Sequence, residues 1–212
     1  MQPDNYPPGT VRALLETDRV TPPTRAALKK RLEPPDPNAR PRFLDETQWT
    51  TLRAVCARLL PANPNGPDPA QFAACVDERL ADDKGNGWRY DVLPGDGAAC
   101  RQGLAGLDET AHAQFGANFV ALNAARQDEV LRAVQNGDAE GETWRTLPGP
   151  RFFEELLAEL VENYYSHPLA QETIGYTGMA DAKGWLRVGL NVVEDWEAVS
   201  YTHLTLPTKR IV

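Results

Sequence analysis

Residues 152–165, FFEELLAELVENYY, constrain the fold of this chain more than any other stretch. Phe152, Phe153, Leu156, Leu157, Leu160, Val161, Tyr164 and Tyr165 recur at the three- and four-residue steps that line up side chains on one helical face. Glu154, Glu155, Glu159 and Glu162 fall on the other face, where acids on an amphipathic helix read as a solvated surface. So apolar a stripe must be buried against other elements. Ser166, His167 and Pro168 end the helix, because proline cannot continue it and restricts the residue before it. The residues that follow, up to about 198, are rich in Gly and aromatics and show no period. That pattern predicts a long irregular segment of the kind used for binding.

Upstream, residues 46–60 form the next firm helix. Asp45 is placed as N-cap and Gln48 completes a capping box, while Leu44 and Trp49 are spaced for a hydrophobic staple. Its predicted buried stripe is Trp49, Leu52, Val55, Cys56, Leu59 and Leu60, and Pro61 ends it. Asp68 and Pro69 open a further helix with Phe72, Cys75, Val76 and Leu80 inward, while Asp77 and Glu78 lie on its solvated face. Trp88 and Tyr90 fall in a loop. A helix over 97–107 carries Cys100, Leu104 and Leu107, and Asp108 is read as the cap of a separate short helix reaching Gln114. Asn123 caps another, with Val130, Leu131 and Val134 inward and Gly137 as its stop. Residues 137–150 read as loop.

Pro3, Pro7, Pro8, Pro22, Pro23, Pro34, Pro35, Pro37 and Pro41 crowd the start of the chain. Such density breaks continuous helix and predicts an extended arm over residues 1–41, with short helices near 10–16 and 22–32. Thr21 and Pro22 suit the N-cap and first position of the second, and Lys29, Lys30 and Arg31 suit the negative end of its dipole. Alternating apolar-polar runs are scarce. The predicted fold is therefore all-α: an irregular helical bundle over 42–198, with a Pro-rich N-terminal arm and a long Gly/aromatic C-terminal loop segment. VSYTHLTLPTKRIV, residues 199–212, contains no acid and resembles the translation of a sequencing adapter. It is read as a foreign tail and set aside.

A formal net charge of -8 argues against nucleic acid and anionic membrane as main partners, since both select clustered Lys and Arg. No apolar run is long enough to span a bilayer. No secretory signal is visible, which places the chain in the cytoplasm unless it is exported bound to a partner that carries one. Cys56, Cys75 and Cys100 show no metal spacing and read as buried thiols. The fingerprints of dinucleotide, phosphate and zinc-protease sites are missing, as is a nucleophile elbow. His112 reads as a surface or cap residue. His167 reads as a helix-end residue that holds the following loop through hydrogen bonds. Tyr and Trp favour the centres of protein interfaces, so Tyr176, Trp185 and Trp196, set among Gly175, Gly178 and Gly184, are candidate contacts.

Three stretches together carry a resemblance. PRFLDETQWTTLRAVCARLLP at 41–61, FFEELLAELVENYYSHPLA at 152–170 and IGYTGMADAKGWLRV at 174–188 resemble, in order and spacing, the gluconate 2-dehydrogenase subunit 3 family. Residues 194–197, EDWE, resemble the DPWE ending of some members. The resemblance implies a non-catalytic small subunit beside a large FAD-containing dehydrogenase subunit that oxidises a sugar or sugar acid, often with a cytochrome c subunit that carries haem c. It implies that this chain itself binds neither group. Many members carry a twin-arginine signal, and co-export would place the complex in the periplasm or at the inner membrane. The partner-binding residues expected on this basis are Tyr164, Tyr165, His167, Pro168, Gly175, Tyr176 and Trp185. Two other classes stand beside it: a stand-alone helical scaffold or chaperone whose arm wraps a client, and an independent enzyme using His167 with a nearby acid.

Overall fold

A computed structural model of the chain describes residues 10–36, 39–85, 92–184, 186, 187, 189, 192 and 194. The expectations for Trp88, Tyr90, Trp185, Trp196 and the tail at 199–212 lie outside these residues. Among the described residues the fold is all-α. Its helices are α1 (Thr10–Leu15), α2 (Pro22–Arg31), α3 (Glu46–Leu59), α4 (Phe72–Ala81), α5 (Asp96–Phe115), α6 (Ala124–Asn136), α7 (Gly149–Tyr165) and α8 (Pro168–Thr173), with short 3₁₀ turns between some of them. Within the described residues, no helix is long and apolar enough to cross a membrane.

The chain divides into two compact units. The central unit takes the described parts of 35–62 and 68–164. Its α3 begins with the expected capping box: Gln48 N–H donates to Asp45 Oδ1 at 2.8 Å, and Asp45 N–H donates to Gln48 Oε1 at 3.2 Å. Trp49, Leu52, Val55 and Cys56 are buried on α3, and Phe152, Phe153, Leu156, Leu160 and Tyr164 on α7. The α7 stripe is narrower than its sequence suggests, since Val161 is 37% exposed. Tyr164 closes the core. Its ring meets Phe72 edge-on with centroids 5.5 Å apart, and its hydroxyl donates to the Pro61 carbonyl at 3.1 Å.

Several expectations for this unit are corrected. Residues 97–114 form one helix, not two, because nothing between Leu107 and Asp108 breaks it. Asp108 lies inside α5, and its carboxylate accepts the N–H of Phe119 at 2.8 Å. Gly103 and Gly106 sit mid-helix because aromatic rings press on them. A Cβ at Gly103 would lie 2.1 Å from Phe152, and one at Gly106 would lie 2.6 Å from Trp144. Cys75 is exposed, unlike Cys56 and Cys100. Residues 143–145 form a 3₁₀ turn in the predicted loop.

Two acids assigned to solvated faces are structural. Asp77 is 3% exposed, and its carboxylate accepts the N–H groups of Arg42 at 2.6 Å, Phe43 at 3.1 Å and Leu44 at 2.8 Å. It thereby fixes the backbone that enters α3. Phe43, so held, lies against Gly97 and under the Arg101 guanidinium, 3.8 Å from the ring centre. Glu159 receives Arg79 through two bonds of 2.6 and 2.9 Å, while Arg79 also reaches Asp96 at 2.9 Å. That network joins α4, α5 and α7.

The terminal unit takes the described parts of 1–34, 63–67 and 165–212. Its core is Val11, Leu14, Leu15, Val20 and Leu28 from the N-terminal helices, with Met179 and Ala180 from the far end of the chain. The segment after α7 is less irregular than expected, because α8 lies within it. The signal for α8 was present: His167 as N-cap with Pro168 at the first helical position.

Candidate functional site

The residues singled out from sequence separate by burial. Tyr164, in the central unit, is 1% exposed and acts in packing. Tyr165 is half-buried. His167 is 8% exposed, and its Nδ1 accepts the Leu169 N–H at 3.2 Å while its carbonyl accepts the Gln171 N–H at 3.0 Å. Both bonds start α8, as a helix-end histidine should. Burial lowers the His167 pKa below the ordinary imidazole value; a hydrogen bond to the Arg31 backbone opposes the shift, and the Arg31 charge adds to it. Pro168 is buried at the first position of α8. Trp185 lies outside the described residues.

The surface is offered two turns further on. Gly175 takes φ +66°, a left-handed conformation that glycine adopts without strain. The chain therefore turns sharply after α8, and Tyr176 N–H returns to the Gln171 carbonyl at 2.9 Å. Tyr176 emerges 50% exposed, with Ile174 beside it in sequence at 46%. The Tyr176 ring lies over Gly178, where a Cβ would come within 2.2 Å of the phenol oxygen. A larger residue at 178 would push the ring away. Ile174 was not singled out because the segment that carries it shows no helical period; its position just before a left-handed glycine was the available signal. Leu186 and Val192 add exposed apolar side chains further along, at 72% and 49%.

Charged residues at both ends of this edge are tightly partnered. Glu172 is 6% exposed and pairs with Arg12, whose Nη2 donates at 2.9 Å. Asp181 accepts Thr21 N–H at 2.7 Å, the Thr21 hydroxyl at 2.7 Å and the Thr24 hydroxyl at 2.6 Å. These bonds, the Thr21 amide first, pull its carboxyl down to about 2. Arg31, exposed at the end of α2, donates to the Ser166 carbonyl at 2.9 Å.

The central unit offers hollows of another kind. One of about 390 Å³ is lined by Phe43, Leu80, Lys84, Gly95 and Gly97 among others, and a smaller one of about 60 Å³ borders Cys100, Phe152 and Leu156. Arg79 and Asp96 line both, already joined to each other. Burial, above all, pushes the Cys100 thiol up to about 12. Among the described residues no group of three or more His, Cys, Asp or Glu could hold a metal ion.

The chain is thus an all-α protein whose terminal unit holds out a short apolar edge. Residues 46–184 match the family model described as gluconate 2-dehydrogenase subunit 3, and the chain belongs to that family. By its name the family is a subunit of a multi-subunit gluconate dehydrogenase complex, consistent with an accessory role. Neither the curated proteins nor the solved structures contain a match.

Proposed function

We propose that this chain is the non-catalytic small subunit that binds and stabilises, or matures, the large flavoprotein subunit of a gluconate 2-dehydrogenase-like complex. FAD then resides on the large subunit, with haem c on a cytochrome c subunit where one is present. The docking residues are Ile174 and Tyr176, with Tyr165 and Trp185 as further candidates from the sequence, while His167, Pro168 and Gly175 shape the backbone that presents them. The single observation that supports this is the half-exposed Tyr176 and Ile174, held on an ordered turn in a member of a subunit family. Exposed apolar side chains on ordered backbone bind with little ordering cost.

Co-expression with the large flavoprotein subunit that this reading assigns to the complex tests the proposal. The pair is expected to co-purify, and omission of this chain is expected to lower the soluble, flavin-loaded yield of the large subunit. A large subunit that is fully soluble, flavin-loaded and active alone, and that never co-purifies, would refute it.

A further inference from the structure

Residues 173–178 form a bight whose two ends are tied down by helices about 160 positions away in the chain. At its near end Glu172 is held by Arg12 through Nη2 at 2.9 Å, Nε at 3.4 Å and the backbone N–H at 3.4 Å. At its far end Met179 and Ala180 are buried among Val11, Leu14, Leu15, Val20 and Leu28. Asp181 then takes its three bonds from Thr21 and Thr24, and Ala182 N–H donates to the Arg19 carbonyl at 2.9 Å. Between these anchors stand the exposed side chains of Ile174 and Tyr176.

A short loop with both ends fixed has far fewer conformations than a loose chain end. Its geometry is therefore decided by residues that lie outside it. We infer that α1 and α2 form a clip that presets the bight for its partner, and that Arg12, Thr21 and Thr24 are positioning residues for recognition without touching the partner. This rests on Ile174 and Tyr176 being the docking side chains. If loosening one anchor leaves only a fraction of molecules with the bight in its competent form, the apparent Kd rises by the inverse of that fraction. The loss falls on kon, because the complex once formed makes the same contacts.

The test measures kon and koff against the immobilised large flavoprotein subunit that the proposed function assigns as partner, for the full chain and four variants. Arg12→Ala and the Thr21→Ala/Thr24→Ala pair are expected to lower kon about tenfold while koff stays within about twofold. Arg12→Lys, which keeps the charge opposite Glu172, is expected to recover most of kon. Tyr176→Ala is expected to raise koff instead. Hydrogen exchange without partner gives a second readout: the Tyr176 amide should exchange at least about tenfold faster in Arg12→Ala, with α3 and α5 unchanged. Anchor variants that bind and exchange like the parent, while Tyr176→Ala releases faster, would overturn the clip and leave the docking surface standing. Tyr176→Ala binding like the parent would overturn the docking surface, and the clip with it. Loss of protection throughout α3 and α5 in Arg12→Ala would also overturn the clip, since Arg12 would then be serving the whole fold.

Discussion

Asp77 offers the sharpest test of how this chain is held together. Its carboxylate is 3% exposed and accepts three successive backbone N–H groups, with Phe43 and Leu44 on Oδ1 and Arg42 on Oδ2. In Asp77→Asn the amide oxygen can keep the Phe43 and Leu44 bonds, but the new NH₂ then faces the Arg42 N–H, donor against donor. One charge-assisted bond is lost and the other two become neutral, a cost of about 1.5–3 kcal/mol. Asp77→Ala removes all three acceptors. The Leu44 N–H is left buried and unpaired, while water can reach the other two in part, so the loss is about 3–5 kcal/mol. For a chain of this size those figures correspond to a fall in Tm of roughly 3–12 °C for Asn and more for Ala. Urea unfolding followed by Trp fluorescence reads the effect directly, since Trp49 is buried on the helix whose entry Asp77 fixes. The midpoint should fall with the slope unchanged. If both variants stay within about 0.5 kcal/mol of the parent, or if Asn is worse than Ala, the three-bond cradle does not carry this stability.

Other outcomes follow from the same geometry. Gly103→Ala should destabilise by about 1–3 kcal/mol in thermal melts, because the added Cβ would meet the Phe152 ring; helix propensity alone would predict a gain of about 1 kcal/mol. Ellman's reagent should titrate one thiol, Cys75, in the native chain and all three after denaturation; burial holds Cys56 and Cys100 as thiols with pKa values raised to about 12. The terminal unit should loosen in acid. Asp181 has a folded pKa of about 2 against an ordinary value of about 3.9, so its contribution is complete above the ordinary value and is lost as pH falls toward 2. The protection of the Ala182 amide, relative to its intrinsic exchange rate at each pH, should therefore fall below about pH 4, and Asp181→Asn should remove that dependence. His167 acts in the same sense at higher pH: its folded pKa is lowered, so stability is fully present above the ordinary imidazole value and is lost as pH falls from there through the lowered folded value. An imidazole NMR titration with a midpoint at or above about 6.5 would contradict this.

Much of the fold was written in local pattern. The Asp45–Gln48 box, the Asn123 cap and the Gly137 stop are set by neighbours three or four residues apart and occur as read, and the α7 stripe occurs without Val161. The role of His167 as a helix-end residue was legible for the same reason, because a cap involves only the adjoining backbone. The family was legible too, since three local patterns in fixed order suffice to mark it.

Tertiary structure decided the rest, wherever a side chain's partner lies far along the chain. Asp77 reads as a surface acid until residues 42–44 arrive with three donors, and Glu159 reads the same way until Arg79 does. Gly103 and Gly106 sit inside the predicted 97–107 helix with no local reason for glycine until Phe152 and Trp144 occupy the space a Cβ would need. Tyr164 and Tyr176 look alike in sequence, yet one is a buried strut and the other a half-exposed edge. Residues 10–34 read as an arm because proline is a local signal. Their pairing with 172–182, through Arg12, Thr21 and Thr24, depends on contacts between chain ends that no local pattern encodes.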